Sequence, residues 1–254
     1  MNLNLTGKNA FVGGGSKGIG LASAVELALL GANVIIASRS EEDLKVAIKL
    51  LDIAKGQTHD YLVVDYSNLP KLQIKVEQLA LEKKGIQILV NNTGGPAGGP
   101  IKDATSSEFI AAFNNHLLAN HLLVQTLVPG MQKSNYGRVI NIISTSVKIP
   151  LNGLGVSNTI RGAVASWAKT MANELGAFGI TVNNVLPGAT ATERLESIIK
   201  NKAKKIAKEE AIVAEQMKSV IPMNRFAEPN EIGSFVAFLA SPAAAYINGT
   251  STPV

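Results

Sequence analysis

The sequence contains no cysteine. Disulfides, thiolate nucleophiles and thiolate metal ligands are excluded, and the chain suits a reducing compartment. Histidine is scarce. His59, His116 and His121 show no ligand spacing with nearby acids, so no metal site is expected. Long hydrophobic runs are also missing. The longest near-apolar stretch, residues 27–37, contains Gly31 and Asn33 and is too short to span a bilayer. The first eight residues lack the basic start and apolar stretch of a signal peptide. Together these absences give the expectation of a cytoplasmic protein that does not associate with membranes.

What is present describes a globular chain. Its 254 residues are 46% apolar and 17% charged, enough to bury a core as one domain spanning residues 1–254. The net charge of +5 is mostly dispersed among acids. One cluster stands apart: Lys200, Lys202, Lys204, Lys205 and Lys208. Such a run is either a solvated helix face or a patch that attracts an anionic partner. It has no interleaved aromatics and no recognised nucleic-acid module, so no nucleic acid is expected as a partner.

Apolar runs alternate with helical patterns along the chain. Strands are expected at 9–12, 34–37, 61–64, 86–90, 138–143 and 181–186, with a last one beginning at 250–254. Helices are expected at 19–30, 41–54, 69–84, 106–132, 153–178, 191–220 and 228–240. Gly31 is a C-cap candidate and Ser40 an N-cap candidate. The run Gly94-Gly95-Pro96-Ala97-Gly98-Gly99-Pro100 cannot be helix or central strand. Regular β–α alternation predicts an α/β fold: a doubly wound parallel sheet, the Rossmann fold, with helices on both faces. Its ligand would lie at the carboxyl ends of the strands.

The first β–α turn reads Gly13-Gly14-Gly15-Ser16-Lys17-Gly18-Ile19-Gly20. Glycines let backbone turn tightly and approach a pyrophosphate, and the next helix offers free N–H groups to it. Gly13, Gly15 and Gly18 match one dinucleotide spacing; Gly14, Gly18 and Gly20 match a wider one. The second strand ends in Ser38-Arg39, where an acid would hold the ribose of NAD(H). A guanidinium there, with Lys17 in the loop, favours the 2′-phosphate of NADP(H). The alternative is that Arg39 is only a solvated surface residue.

Several motifs then coincide. Asn91-Asn92-Thr93-Gly94, Asp65, the strand from Gly137 to Ser144, Pro187-Gly188 with Thr192, and the segment Ile221 to Pro229 all fall in sequence order. With the wider glycine spacing, they make the chain resemble the short-chain dehydrogenase/reductase family over its whole length, especially its 3-oxoacyl carrier-protein reductases. The resemblance implies cofactor contacts at Gly14, Ser16, Lys17, Gly18, Ile19, Gly20, Ser38, Arg39, Asp65, Tyr66, Asn92, Thr93, Gly94, Arg161, Pro187, Gly188 and Thr192. It implies a homodimer or homotetramer built on the long helices. It also implies a few further residues beyond Val254.

In that family a tyrosine protonates the substrate carbonyl. A lysine lowers its pKa and holds the ribose, a serine polarises the carbonyl, and an asparagine supports a water relay. Here Ser144 occupies the serine position. Ser157 stands at the tyrosine position, Arg161 at the lysine position and His116 at the asparagine position. An arginine can anchor hydroxyls but does not pass a proton. His116 alone has an unperturbed pKa near neutrality, roughly 6.5.

Two readings therefore stand. One is an NADP(H)-dependent carbonyl reductase acting on a small carbonyl compound or acyl thioester, with His116 as proton source, Ser144 and Ser157 orienting the carbonyl, and 191–220 as a lid. The other is an NADP(H)-binding sensor or subunit without turnover, in which His116 is a packed helix residue.

Overall fold

The computed structural model describes residues 1–254. Seven parallel strands form one sheet in the order β3-β2-β1-β4-β5-β6-β7. They are β1 (Asn9–Gly13), β2 (Asn33–Ser38), β3 (Asp60–Val63), β4 (Ile88–Asn91), β5 (Gly137–Ile142), β6 (Ile180–Leu186) and β7 (Ser251–Pro253). The helices are α1 (Gly18–Leu29), α2 (Glu41–Ala47), α3 (Leu69–Glu82), α4 (Ser106–Phe113), α5 (Ala119–Lys133), α6 (Gly155–Leu175), α7 (Glu193–Ile206), α8 (Glu210–Lys218) and α9 (Pro229–Ala240).

Strand alternation explains the two cores. Ala10, Val12, Val34, Ile36, Ile88 and Val90 point to one face, where Ala24 and Leu27 of α1 and Ile232 and Val236 of α9 meet them. Phe11, Ile35, Leu89 and Val139 point to the other, against Leu72 and Val76 of α3 and Leu123 and Leu127 of α5. A side-chain period of two in strands buried on both sides feeds two separate layers.

Both expected caps are found. Gly31 follows α1 with φ +100°, and the Ser40 side chain accepts a hydrogen bond from the Asp43 amide at 3.2 Å. Three expected helices are shorter than their sequence patterns. The expected 41–54 helix stops at Ala47 and finishes in a 3₁₀ turn, Ile48–Leu50. Beyond it, Asp52 Oδ1 accepts from the Ala54 amide at 2.9 Å, and Gln57 donates to the Ala28 carbonyl at 2.7 Å. Those bonds reward a turn over continued helix. The expected 191–220 helix divides at Ala207, which adopts φ +50°.

The expected 106–132 helix is interrupted by a π-turn, Asn114–Leu118, between α4 and α5. The extra residue in that turn rotates His116 inward, where it is 2% exposed. π-turns of this kind are frequent at functional sites.

At the carboxyl end of the sheet the strands carry a ladder of amides. Asn91 donates to Asn141 at 2.8 Å, Asn141 to Asn184 at 3.0 Å, and Asn184 to the Ser251 hydroxyl at 3.1 Å. The strand register pairs the same residues across β4, β5, β6 and β7. The ladder thus ties together β4, β5 and β6, from whose carboxyl ends site residues emerge, and joins them to β7. Sequence patterns did not reveal it, because each asparagine lies in an otherwise apolar strand.

Candidate active site

The glycine turn lies between β1 and α1, at the carboxyl edge of the sheet. Its glycines are dictated by contact rather than by composition. A Cβ on Gly20 would sit 2.1 Å from the Gly14 carbonyl oxygen and 2.7 Å from Asn92 Nδ2. Gly14 and Gly18 both hold φ +54°, a region that disfavours other residues. Asn92 stitches the turn to the end of β4 by donating to the Gly13 carbonyl at 3.1 Å. The amino end of α1 has no side-chain cap. Its first N–H groups therefore remain available to a bound anion. Thr192, the N-cap of α7, covers Gly18 from the opposite side, with its methyl group 3.3 Å from where a Cβ would stand. This bare, close-packed cradle fits a dinucleotide pyrophosphate.

The adenosine end is more mixed than the sequence implied. Arg39 is exposed at the end of β2, and its charge helps hold the Asp65 carboxyl low, after the larger effect of the Ser67 amide and hydroxyl. Lys17 is not free. It faces Asp43 at 3.3 Å and Glu193 at 3.7 Å, and these acids raise its pKa. Both bridges are exposed and therefore weak, so a phosphate could displace them. The Tyr66 side chain belongs to the core beside Phe11 and Val76, and its buried hydroxyl has no hydrogen-bond partner. Burial pushes its pKa up. Only its backbone can serve a ligand.

The reacting end is built on the π-turn, α6 and the ends of β4, β5 and β6. Thr93 Oγ1 and His116 Nδ1 are hydrogen-bonded at 2.6 Å. Gly94 follows Thr93 in the loop and is exposed. Ser144 lies just beyond β5, its hydroxyl accepting from the Ser146 amide at 3.1 Å. The Pro187 carbonyl accepts from the Thr145 amide at 3.3 Å, which brings the Pro187-Gly188 loop beside Ser144. Ser157 and Arg161 are one turn apart on α6 and share a face. Arg161 is 8% exposed and donates from Nη1 to the Ile142 carbonyl at 2.9 Å. Burial, with the nearby Arg194 guanidinium, pulls its pKa down to about 10, so it stays charged at neutral pH.

In the folded chain His116 departs from the unperturbed histidine value. Burial in the π-turn, with the nearby Arg161 charge, lowers its pKa to about 3. It is neutral under physiological conditions. The unfolded chain therefore binds a proton that the folded chain refuses between about pH 6.5 and 3. This contribution to stability is complete above 6.5 and is lost as pH falls. His116→Asn is expected to lose about 2–3 kcal/mol less than the native chain between pH 7 and pH 4.5. Urea midpoints at the two pH values measure this, and parallel losses would contradict the buried, neutral state.

The segment 191–220 has a small core of its own, in which Leu195, Ile199 and Ala203 of α7 meet Val213 of α8. The five lysines from Lys200 to Lys208 are exposed and form no ion pair. Arg194, at the start of α7, was not singled out by sequence. Its Nη2 donates to the Pro96 carbonyl at 2.7 Å, and that contact joins residues far apart in the chain.

Comparison with known proteins decides the family. Residues 14–254 match the family described as enoyl-(acyl carrier protein) reductase. The chain is a short-chain dehydrogenase/reductase. It is 33% identical to the 3-oxoacyl-[acyl-carrier-protein] reductase FabG of Vibrio cholerae, over 99% of this chain and 97% of that protein. It is 31% identical to a chloroplastic tropinone reductase homolog of Arabidopsis thaliana, over 97% of this chain and 74% of that protein. Among solved structures, this dehydrogenase/reductase superposes on L-sorbose reductase from Gluconobacter frateurii, complexed with NADPH and L-sorbose, with TM-score 0.93 at 29% identity. That match covers 100% of this chain and 97% of that one. It also superposes on YwfH, an NADPH-dependent reductase involved in bacilysin biosynthesis, with TM-score 0.92 at 27% identity, covering 97% and 96% of the two chains. The family's doubly wound sheet is the one described above. No helix is long and apolar enough to cross a membrane.

Proposed function

We propose that this short-chain dehydrogenase/reductase is an NADP(H)-dependent oxidoreductase that reduces a carbonyl to an alcohol through a rebuilt active site. The observation that carries the reading is the cradle at Gly14, Gly18 and Gly20. It remains shaped for a dinucleotide, with Arg39 where a 2′-phosphate would lie and the reacting end open beside it. Gly14, Ser16, Lys17, Gly18, Ile19, Gly20 and Thr192 would hold the pyrophosphate. Ser38, Arg39, Asp65 and the Tyr66 backbone would hold the adenosine. Asn92, Thr93, Gly94, Arg161, Pro187 and Gly188 would hold the nicotinamide end. NADPH held by these residues would supply the hydride that reduces the carbonyl carbon, leaving NADP⁺.

The residues of the chain then have three tasks. Ser144 and Ser157 orient the carbonyl by hydrogen bonds. Arg161, permanently charged, stabilises negative charge developing on oxygen. The neutral His116, through Thr93, relays a proton from water to that oxygen. Because His116 does not titrate near pH 6.5, kcat shows no step there. The substrate is a small carbonyl compound or a 3-oxoacyl thioester, the exposed lysines of the lid favouring an anionic carrier. A homo-oligomer and a cytoplasmic location follow from the family likeness.

Two measurements test this reading. Arg39→Ala is expected to weaken NADPH binding about tenfold to a hundredfold, the worth of one charge-assisted contact, while NADH affinity stays within about threefold. Equal losses for both cofactors would remove the case for NADP(H). NADPH oxidation with acetoacetyl-CoA then tests turnover. A protein that binds NADPH and oxidises none with any oxo compound would instead be a cofactor-binding sensor or subunit.

A further inference from the structure

Arg161 is a buried cation without an anion. It forms no ion pair, and its single hydrogen bond to protein is from Nη1; Nη2 and Nε have no protein acceptor and are not fully enclosed, so a ligand can reach them. A largely buried charge is ordinarily paired. The second observation is what Arg161 faces. The point beside Gly95 where a side chain would begin lies 3.9 Å from Arg161 Nη2 and 3.7 Å from Arg194 Nη2. Two guanidinium groups, one from α6 and one from α7, thus converge beside Gly95. The neighbouring acid does not neutralise them, since Glu193 is turned towards Lys17. Burial first, and then the Arg194 charge, lowers the pKa of Arg161. Two like charges brought together with no acid between them mark a candidate anion site.

We propose that the substrate is an oxo-acid whose carboxylate is held between Arg161 and Arg194, across the gap at Gly95.

Guanidinium forks match carboxylate oxygens in shape and number of donors, and two of them leave few lone pairs unmet. Ser157 shares the face of α6 with Arg161, so a carboxylate at the arginines places a carbonyl one or two bonds away towards Ser157 and Ser144. Arg194 belongs to the lid and is tied only to the Pro96 carbonyl. Its engagement would also close α7 over the substrate. The arginine at position 161 then has a reason that the catalytic tetrad alone does not give: it exchanges a proton-handling lysine for a carboxylate anchor.

This proposal rests on the carbonyl-reductase reading, and the test separates the two. Acetoacetate and methyl acetoacetate are titrated calorimetrically into the native protein, with and without saturating NADP⁺, and into Arg194→Met. NADPH affinity is measured in parallel on both proteins. The expected result is acetoacetate bound at least tenfold more tightly than its ester by the native protein. In Arg194→Met that ratio falls to about one, while NADPH affinity stays within about twofold. Equal affinity for acid and ester in the native protein, or a preference that survives Arg194→Met, overturns the oxo-acid assignment. Failure of NADPH to bind while the acid preference persists instead overturns the reductase reading and leaves the carboxylate site standing.

Discussion

Ser157→Tyr/Arg161→Lys is expected to raise turnover of acetoacetyl-CoA by about a hundredfold or more, the ordinary worth of a positioned general acid. The native site has an alcohol at position 157, much less acidic than a phenol, and a guanidinium that keeps its protons. In the mechanism proposed above, its proton comes by the longer route through Thr93 and His116, joined at 2.6 Å. A phenol on α6 with a lysine one turn later shortens that route to one step. The same double variant should lose most of its preference for acetoacetate over the ester, because Arg161 is gone. Opposite changes on thioester and oxo-acid would show one position serving two chemistries in turn. A variant that binds NADPH and shows neither change would mean that the hydride donor and the carbonyl do not meet above α6.

Gly20→Ala is expected to abolish cofactor binding, with at least a hundredfold weaker NADPH affinity and a chain destabilised by a few kcal/mol. The added methyl would meet the Gly14 carbonyl at 2.1 Å and Asn92 Nδ2 at 2.7 Å. Neither can retreat: the carbonyl is backbone held in a turn at φ +54°, and Asn92 is bonded to Gly13. Relief requires the turn to open away from α1, which removes the N–H groups that would face the pyrophosphate. Thermal unfolding separates the two effects. Gly95→Ala is a useful contrast, since its methyl would make only ordinary contacts, 3.7 Å from Arg194 Nη2 and 3.9 Å from Arg161 Nη2, and should leave NADPH affinity intact while crowding the acid.

Much of this was legible in the sequence because it depends on short-range rules. Alternating β and α patterns predicted six strands closely and the seventh in part. Gly31 and Ser40 marked helix ends as their conformational and capping preferences require. The glycine turn was read from its spacing, and Asn92 and Thr192 were assigned to the same site by the family resemblance. The rest depended on contacts between distant segments. The π-turn at His116 leaves no trace in an apolar periodicity that runs through it. The low pKa of His116 was not legible, because burial and Arg161 act only once α4, α5 and α6 are packed. Tyr66 follows Asp65 directly in sequence, yet its side chain enters the core. Arg194 was passed over because its significance lies in Gly95 and Arg161, which the fold alone brings to it.

The central claim is hydride transfer from NADPH to a carbonyl in this site. The most direct test is to incubate the protein with [4,4-²H₂]NADPH and a panel of oxo-acids and 3-oxoacyl thioesters, then to weigh the alcohols by mass spectrometry. The account predicts alcohols heavier by one deuterium, with the oxo-acids labelled in preference to their esters. Unlabelled products, or no alcohol from a protein shown to hold NADPH, would contradict it.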